Sequence, residues 1–153
     1  MEIERKFLIT QLPERLIKGA QTFQIEQGYF LSEEGRKERV RSKIDAKGEV
    51  VYFRTYKEGE GLARIEDEWK ITKSEFEVIW PGTKGQRIEK VRYLIPHEGK
   101  VIEFDIYSGG LEPLMTAEVE FETVEEAEVF FPPDWFGEEV TDIFRYTNAE
   151  LAR

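Results

Sequence analysis

Apolar and polar residues alternate along most of this chain with the two-residue period of β-strands. Eight such stretches are predicted, at about residues 1–9, 22–31, 37–44, 50–57, 62–71, 87–95, 100–107 and 115–122. Helical spacing replaces the alternation in a few places. Leu12 to Lys18 is a short helical segment. Thr72 to Trp80 opens with Thr72 three residues before Glu75, and Thr123 to Phe131 with Thr123 three residues before Glu126. Both have capping-box spacing, in which a hydroxyl and a carboxylate each satisfy a free backbone N–H. A last helical piece follows Asn148, read as its N-cap. Pro132-Pro133 and Gly109-Gly110 are turns, and no repeat or linker divides residues 1–153, so one domain is expected. Eight mostly antiparallel strands with peripheral helices predict an α+β, mainly β architecture: an eight-stranded antiparallel closed barrel.

Successive side chains in a strand point to opposite faces, which sorts the residues. Glu2, Glu4 and Lys6 share a face. So do Arg39, Arg41 and Lys43; Phe53, Thr55 and Lys57; Arg64, Glu66, Glu68 and Lys70; Lys90 and Arg92; Glu103 and Asp105; and Glu118, Glu120 and Glu122. The ordinary barrel turns such a face to water. Two features argue against that arrangement here. The polar face is almost entirely Glu, Asp, Lys and Arg, with few neutral polar residues. The helical segments also carry apolar residues that need an apolar surface to cover: Leu12, Leu16 and Ile17; Phe76, Ile79 and Trp80; Val129, Phe130 and Phe131. Both are met if the apolar strand faces point outward beneath helices and the charges line the lumen.

Composition narrows the function. The chain has 32 acids against 22 Lys and Arg, a net charge of −10, so its surface should repel nucleic acid and anionic membranes. There is no cysteine, which excludes disulfides, thiolate metal sites and cysteine catalysis. No apolar run is long enough to span a bilayer, and the first residues lack the apolar core of a signal peptide, so a cytoplasmic location is expected. A charged lumen is costly unless its charges are paired, solvated or hold a ligand. Arg and Lys match the oxygens of a phosphate chain, and carboxylates without Cys or paired His match hard cations such as Mg²⁺ or Mn²⁺. The combination describes a site for a metal–polyphosphate complex.

The N-terminal Glu2-Ile3-Glu4-Arg5-Lys6 resembles the Glu-x-Glu-x-Lys signature of the CYTH superfamily, the triphosphate tunnel metalloenzymes. Further matches follow in family order: Gln27-Gly28-Tyr29, Arg39-Val40-Arg41, Thr55-Tyr56-Lys57, Arg64-Ile65-Glu66-Asp67-Glu68, Lys90-Val91-Arg92-Tyr93, Glu103-Phe104-Asp105, Ala117-Glu118-Val119-Glu120-Phe121, Gly137-Glu138-Glu139-Val140-Thr141-Asp142 and Arg145-Tyr146-Thr147-Asn148. The resemblance implies an eight-stranded tunnel that binds a linear triphosphate and depends on a divalent metal. It implies Glu2, Glu4, Glu118 and Glu120 as metal-holding residues. Glu66, Glu68, Glu103 and Asp105 are implied as ion pairs or further metal ligands. Lys6, Arg39, Arg41, Lys57, Lys90 and Arg92 are implied as phosphate ligands, with Arg64 completing the lining. Two positions depart from the family pattern: Ile143 stands after Asp142 where a second acid is common, and Arg54 stands where an apolar residue is common.

The reaction this implies is hydrolysis of a terminal phosphoanhydride, most simply of inorganic tripolyphosphate, in which positioning and charge neutralisation do most of the catalysis. Lys57 is the expected catalytic lysine, its pKa lowered by nearby cations, with Tyr29 as a phenol partner and Glu4 beside them. Thiamine or nucleoside triphosphates are alternative substrates. A class IV-type adenylate cyclase is a rival reaction, and a non-catalytic polyphosphate-binding protein a rival class. The expected partner is a small-molecule triphosphate, with a homodimer left open. His97 is expected in a solvated turn, and Trp69, Trp80 and Trp135 in apolar packing. Asp142 and Arg145 either close one mouth of the tunnel or pair with each other.

Overall fold

A computed structural model describes residues 1–153. The eight strands are β1 (Glu2–Leu8), β2 (Gln21–Leu31), β3 (Lys37–Asp45), β4 (Val50–Glu58), β5 (Ala63–Ile71), β6 (Arg87–His97), β7 (Lys100–Tyr107) and β8 (Met115–Phe121). They close into a barrel in the order β1-β5-β4-β3-β2-β6-β7-β8, and all neighbours are antiparallel. β1 joins β8 along nearly its whole length, from Ile3↔Phe121 to Leu8↔Thr116. It meets β5 at only two register positions, Glu2↔Arg64 and Ile3↔Ala63. Four short helices decorate the barrel: α1 (Glu14–Ile17), α2 (Lys73–Ile79), α3 (Val124–Val129) and α4 (Asn148–Leu151). No helix is long and apolar enough to cross a membrane.

The apolar core lies outside the barrel wall. Ile3, Ile95, Ile102, Phe104, Val119 and Phe121 on the outer faces of β1, β6, β7 and β8 pack with Ala127 of α3 and with Phe130, Trp135 and Phe136. Trp135 meets Phe104 edge-on at 5.8 Å between ring centroids. Burial of each such side chain contributes about 1.5–3 kcal/mol, so this outer layer is what stabilises the inside-out arrangement. On the opposite side, Phe76 of α2 packs between Tyr52 and Trp80, at 4.9 and 5.0 Å.

The helix signals are met unequally. At α2 the capping box is complete, with Thr72 and Glu75 reciprocally bonded; at α3 Thr123 accepts from the Glu126 N–H. Trp80 caps the end of α2, its N–H donating to Phe76 O, and at the same time opens a 3₁₀ turn. The helical residues are not all covered: Leu12, Leu16, Val129 and Phe131 stay exposed, because α1 and α3 are short and Ile17, Val124, Ala127 and Phe130 are the residues that reach the wall. His97 ends β6 with its ring edge-on to Phe130 at 6.1 Å, so it belongs to a strand and not to the turn.

Two further contacts hold the outside. Arg54 sits on the outer face, where its Nε donates to Glu38 Oε1 at 2.6 Å. Burial pushes the Glu38 carboxyl up, but Arg54 and Arg36 outweigh it and hold it below the ordinary range. This buried pair accounts for an arginine where the family commonly has an apolar residue. The chain after α3 returns to β1, where the Gly137 N–H donates to Leu8 O at 2.8 Å. A Cβ at Gly137 would lie 2.6 Å from that carbonyl oxygen, so the approach requires glycine.

Candidate active site

The strands bring the charged faces together in the lumen. Lys6, Arg39, Lys90 and Arg92 are buried there, with Glu2, Asp105 and Glu118. Asp105 spends both carboxylate oxygens on cations: Oδ1 accepts from Arg92 Nε at 2.8 Å, and Oδ2 lies 2.8 Å from Lys90 Nζ and 2.9 Å from Arg92 Nη2. Glu103 adds a 2.9 Å contact to Arg92 Nη1, and Glu68 accepts from Arg39 at 3.2 Å and from Thr55 at 2.8 Å. Lys90 and Arg92 with Asp105 and Glu103, and Arg39 with Thr55 and Glu68, therefore form two cross-strand units, each fixed by antiparallel register.

Arg41 differs from the rest. It makes no ion pair; Gln27 Oε1 accepts from its Nε and Nη2 at 3.1 and 2.9 Å. Burial, then Arg39 and Arg92, press its pKa down to about 10. Burial presses Lys90 further, to about 7, with Arg92 and Arg41 adding to the effect and Asp105 opposing it. Arg39 Nε and Arg64 Nε are buried with no hydrogen-bond acceptor, whereas Lys90 Nζ has the Asp105 carboxylate alone. The lumen is short of anions where its cations gather.

The acids show the converse. Burial and the negative charge of Glu118 push Glu4 well above the ordinary carboxylate range. Burial and Glu66 raise Glu2, and burial with Glu2 and Glu103 raises Glu120. Glu118 moves the other way: burial opposes its ionisation, but Lys6, Arg92, Lys90 and Lys57 outweigh it. Glu66, Glu68 and Glu120 border a shallow depression at the mouth with Met1 and Glu2. No three acids converge as a ready cage for an ion. The donor set still fits a hard divalent cation, because it is carboxylate only and because Glu4 is buried beside the negative charge of Glu118.

A cavity of about 260 Å³ reaches from Glu4, Lys6, Arg39, Lys57 and Arg64 up to the C-terminal segment, whose residues 140–149 form one wall. Two expectations fail here. Lys57 and Tyr29 both border the cavity but make no hydrogen bond with each other: Lys57 Nζ lies 2.9 Å from Glu2 Oε1, and the Tyr29 hydroxyl accepts from Gln27 Nε2 at 3.1 Å. Nor is the Lys57 pKa lowered. Burial and Arg39 push it down, but Glu4 and Glu2 outweigh them and it ends above the usual lysine value.

Several lumen residues escaped sequence reasoning. Tyr107 was legible by parity, sharing a face with Glu103 and Asp105, whereas Gln27 shares its face of β2 with uncharged residues such as Ile25 and Tyr29. Asn148 was taken for an N-cap. Thr147 caps α4 instead, and the Asn148 side chain turns inward to accept from Tyr107 at 2.7 Å. Asp142 borders the cavity and makes no ion pair with Arg145, whose guanidinium lies 5.0 Å from the Tyr146 ring centroid.

No family model matches the chain. It is 40% identical over 153 residues to an inorganic triphosphatase of Nitrosomonas europaea, covering 99% of this chain and 96% of that one. It is 35% identical to an inorganic triphosphatase of Acetivibrio thermocellus, covering 99% and 93%. Among solved structures, a crystal structure of an inorganic triphosphatase superposes with a TM-score of 0.67 at 38% identity, covering 99% of this chain and 94% of that chain. Identity at this level along nearly the full length of both chains means that the chain belongs to the inorganic triphosphatase family of triphosphate tunnel (CYTH) proteins.

Proposed function

We propose that this protein, acting as one unit over residues 1–153, hydrolyses the terminal phosphoanhydride of a linear triphosphate with the help of a divalent cation. Inorganic tripolyphosphate is the proposed substrate. The observation that carries the reading is the pairing of two unmet demands in one lumen. The buried Nε groups of Arg39 and Arg64 lack acceptors and Arg41 has no carboxylate partner, while buried acids at Glu2 and Glu4 carry raised pKa values. A metal–triphosphate complex answers both. The names of the relatives support the same substrate.

The proposed roles follow from the geometry. Arg41, with no carboxylate partner, and Arg39, Arg64, Lys6, Lys90 and Arg92 bind phosphate oxygens. Glu2, Glu4, Glu118 and Glu120 hold Mg²⁺ or Mn²⁺; when bound, the ion neutralises phosphate charge and makes water more acidic. Asp105, with both oxygens committed, orients Lys90 and Arg92 and is not a metal ligand in this reading; Glu103, Glu66 and Glu68 orient cations or rim the mouth. Lys57, kept charged by Glu4 and Glu2, stabilises charge on the leaving oxygen and is not a base. Tyr29 orders Gln27 and through it Arg41. The experiment is orthophosphate and pyrophosphate release from metal-stripped protein given tripolyphosphate, ATP or thiamine triphosphate, with EDTA, Mg²⁺ or Mn²⁺. Metal-dependent orthophosphate from tripolyphosphate, lost in Glu4→Gln, is expected. Pyrophosphate and a cyclic nucleotide from ATP would mean a cyclase.

A further inference from the structure

The chain segment that walls the cavity grips Lys6 twice. At the backbone, the Lys6 N–H donates to Thr141 Oγ1 at 3.0 Å, and the Val140 N–H donates to Lys6 O at 2.8 Å. At the side chain, Lys6 Nζ donates to the Tyr146 carbonyl at 2.7 Å and to Asn148 Oδ1 at 3.4 Å. The competing partner is Glu118, whose Oε1 stands 3.6 Å from the same ammonium. Both side chains are about nine-tenths buried, so a direct ion pair between them would be strong and hard for solvent to break.

Asn148 is itself held in place. The Tyr107 hydroxyl, on a fully buried side chain, donates to Asn148 Oδ1 at 2.7 Å. Ala149, Leu151 and Ala152 pack on Tyr29, Ile88 and Tyr107. These three positions share the lumen face of β2, β6 and β7 with charged or polar neighbours, and they are uncharged where this segment seats.

We infer that Asn148 is a positioning residue of the phosphate site: with the Tyr146 carbonyl it holds the Lys6 ammonium apart from Glu118. Neutral acceptors anchor an ammonium without cancelling its charge. Lys6 therefore stays a full cation for a phosphate oxygen, and Glu118 stays a full anion for a metal. Without the amide oxygen, the ammonium closes on Glu118 and the two charges neutralise each other. The identity of the bound anion rests on the triphosphatase reading; the positioning role does not require turnover.

The test is tripolyphosphate binding to the full-length protein in EDTA, followed by calorimetry, with melting temperatures as a check on folding. Asn148→Ala is expected to weaken binding about three- to tenfold, in the range of contact coupling. In a Lys6→Met background the same change should have no further effect. Asn148→Asp keeps both acceptor bonds but cancels the Lys6 charge, so it should weaken binding at least as much; a purely structural role for Asn148 would leave this variant like wild type. Tyr107→Phe releases Asn148 while keeping the ring on which α4 packs, and should give a smaller loss that also vanishes with Lys6→Met. Losses that multiply in the double variants, or wild-type binding in Asn148→Asp, would overturn the inference. Mg²⁺-dependent turnover is measured alongside: wild-type protein that binds tripolyphosphate but never cleaves it refutes the triphosphatase reading and leaves the binding cycle to decide the role of Asn148.

Discussion

Asp105→Asn should expose how much of the lumen depends on its buried charges. In the wild type one carboxylate faces Lys90 at 2.8 Å and Arg92 at 2.8 and 2.9 Å, and the Lys90 and Asp105 side chains are fully buried. The amide removes the only negative charge within ion-pairing distance of Lys90, while Arg41 and Arg92 remain nearby. Breaking a buried pair in this way costs about 3–5 kcal/mol, and in a chain of this size each kcal/mol lowers the melting temperature about 2–4 °C. A fall of roughly 6–20 °C is therefore expected for metal-free protein by scanning calorimetry. Tripolyphosphate should return part of it, because its oxygens can replace the lost carboxylate; at a hundred times Kd a ligand adds about 2.7 kcal/mol. The anion should bind the variant at least as tightly as the wild type when no metal is present. A melting temperature within a degree or two of wild type would refute the argument, since the lumen would then be wet enough to solvate its cations unaided.

Four more outcomes follow from the same geometry. Glu4→Gln should raise the melting temperature of metal-free protein at neutral pH and abolish stabilisation by Mg²⁺ or Mn²⁺. The folded-state pKa of Glu4 is raised, so its ionisation costs stability as pH climbs from 4.5 through that raised value. Asp105 and Glu118 have lowered values and lose their contribution as pH falls below the ordinary range, so metal-free wild type should be most stable in mildly acidic solution; calorimetry across pH checks both flanks. Lys57→Ala should reduce kcat by about 10²–10³, the usual effect of losing one charge stabiliser, and a change confined to KM would make Lys57 a binding clamp. Gly137→Ala forces a methyl against Leu8 O and should cost about 1–3 kcal/mol, read as a lower melting temperature.

The strands were legible because their period is strict. Each observed strand lies within about two residues of its expected span, and parity alone placed Glu2, Arg39, Lys90, Asp105 and Glu118 on the inner face. The inversion of the barrel was also legible, from helices such as Thr72 to Trp80 that had only charges to cover in the ordinary arrangement. What parity does not carry is the offset between strands. The Glu2 end of β1 meets the Arg64 end of β5, and that shear delivers Lys57 to Glu2 instead of Tyr29. The sign of the Lys57 shift follows from its placement beside Glu4 and Glu2. The inward turn of Asn148 was hidden for a related reason: it depends on a long return of the chain across the barrel end, and an Asn before a short helix looks like a cap in sequence. Leu12, Leu16, Val129 and Phe131 misled because apolar spacing shows what a helix could bury, not how far the helix extends.

The near-absence of pairing between β1 and β5 makes folding a matter of waiting. The first strand of the chain has its main partner in the last, with Ile3 opposite Phe121, and little else to hold it meanwhile. Contacts so distant in sequence form slowly, because the loop between them must be ordered first. During synthesis, β1 leaves the ribosome with one face apolar and the other charged, and neither finds its complement until β8 is made. Glu2 and Glu4 meet Glu118 and Glu120 only in that closing step. In refolding, recovery of activity should therefore lag the recovery of β-structure, and the lag would time the closure of the barrel.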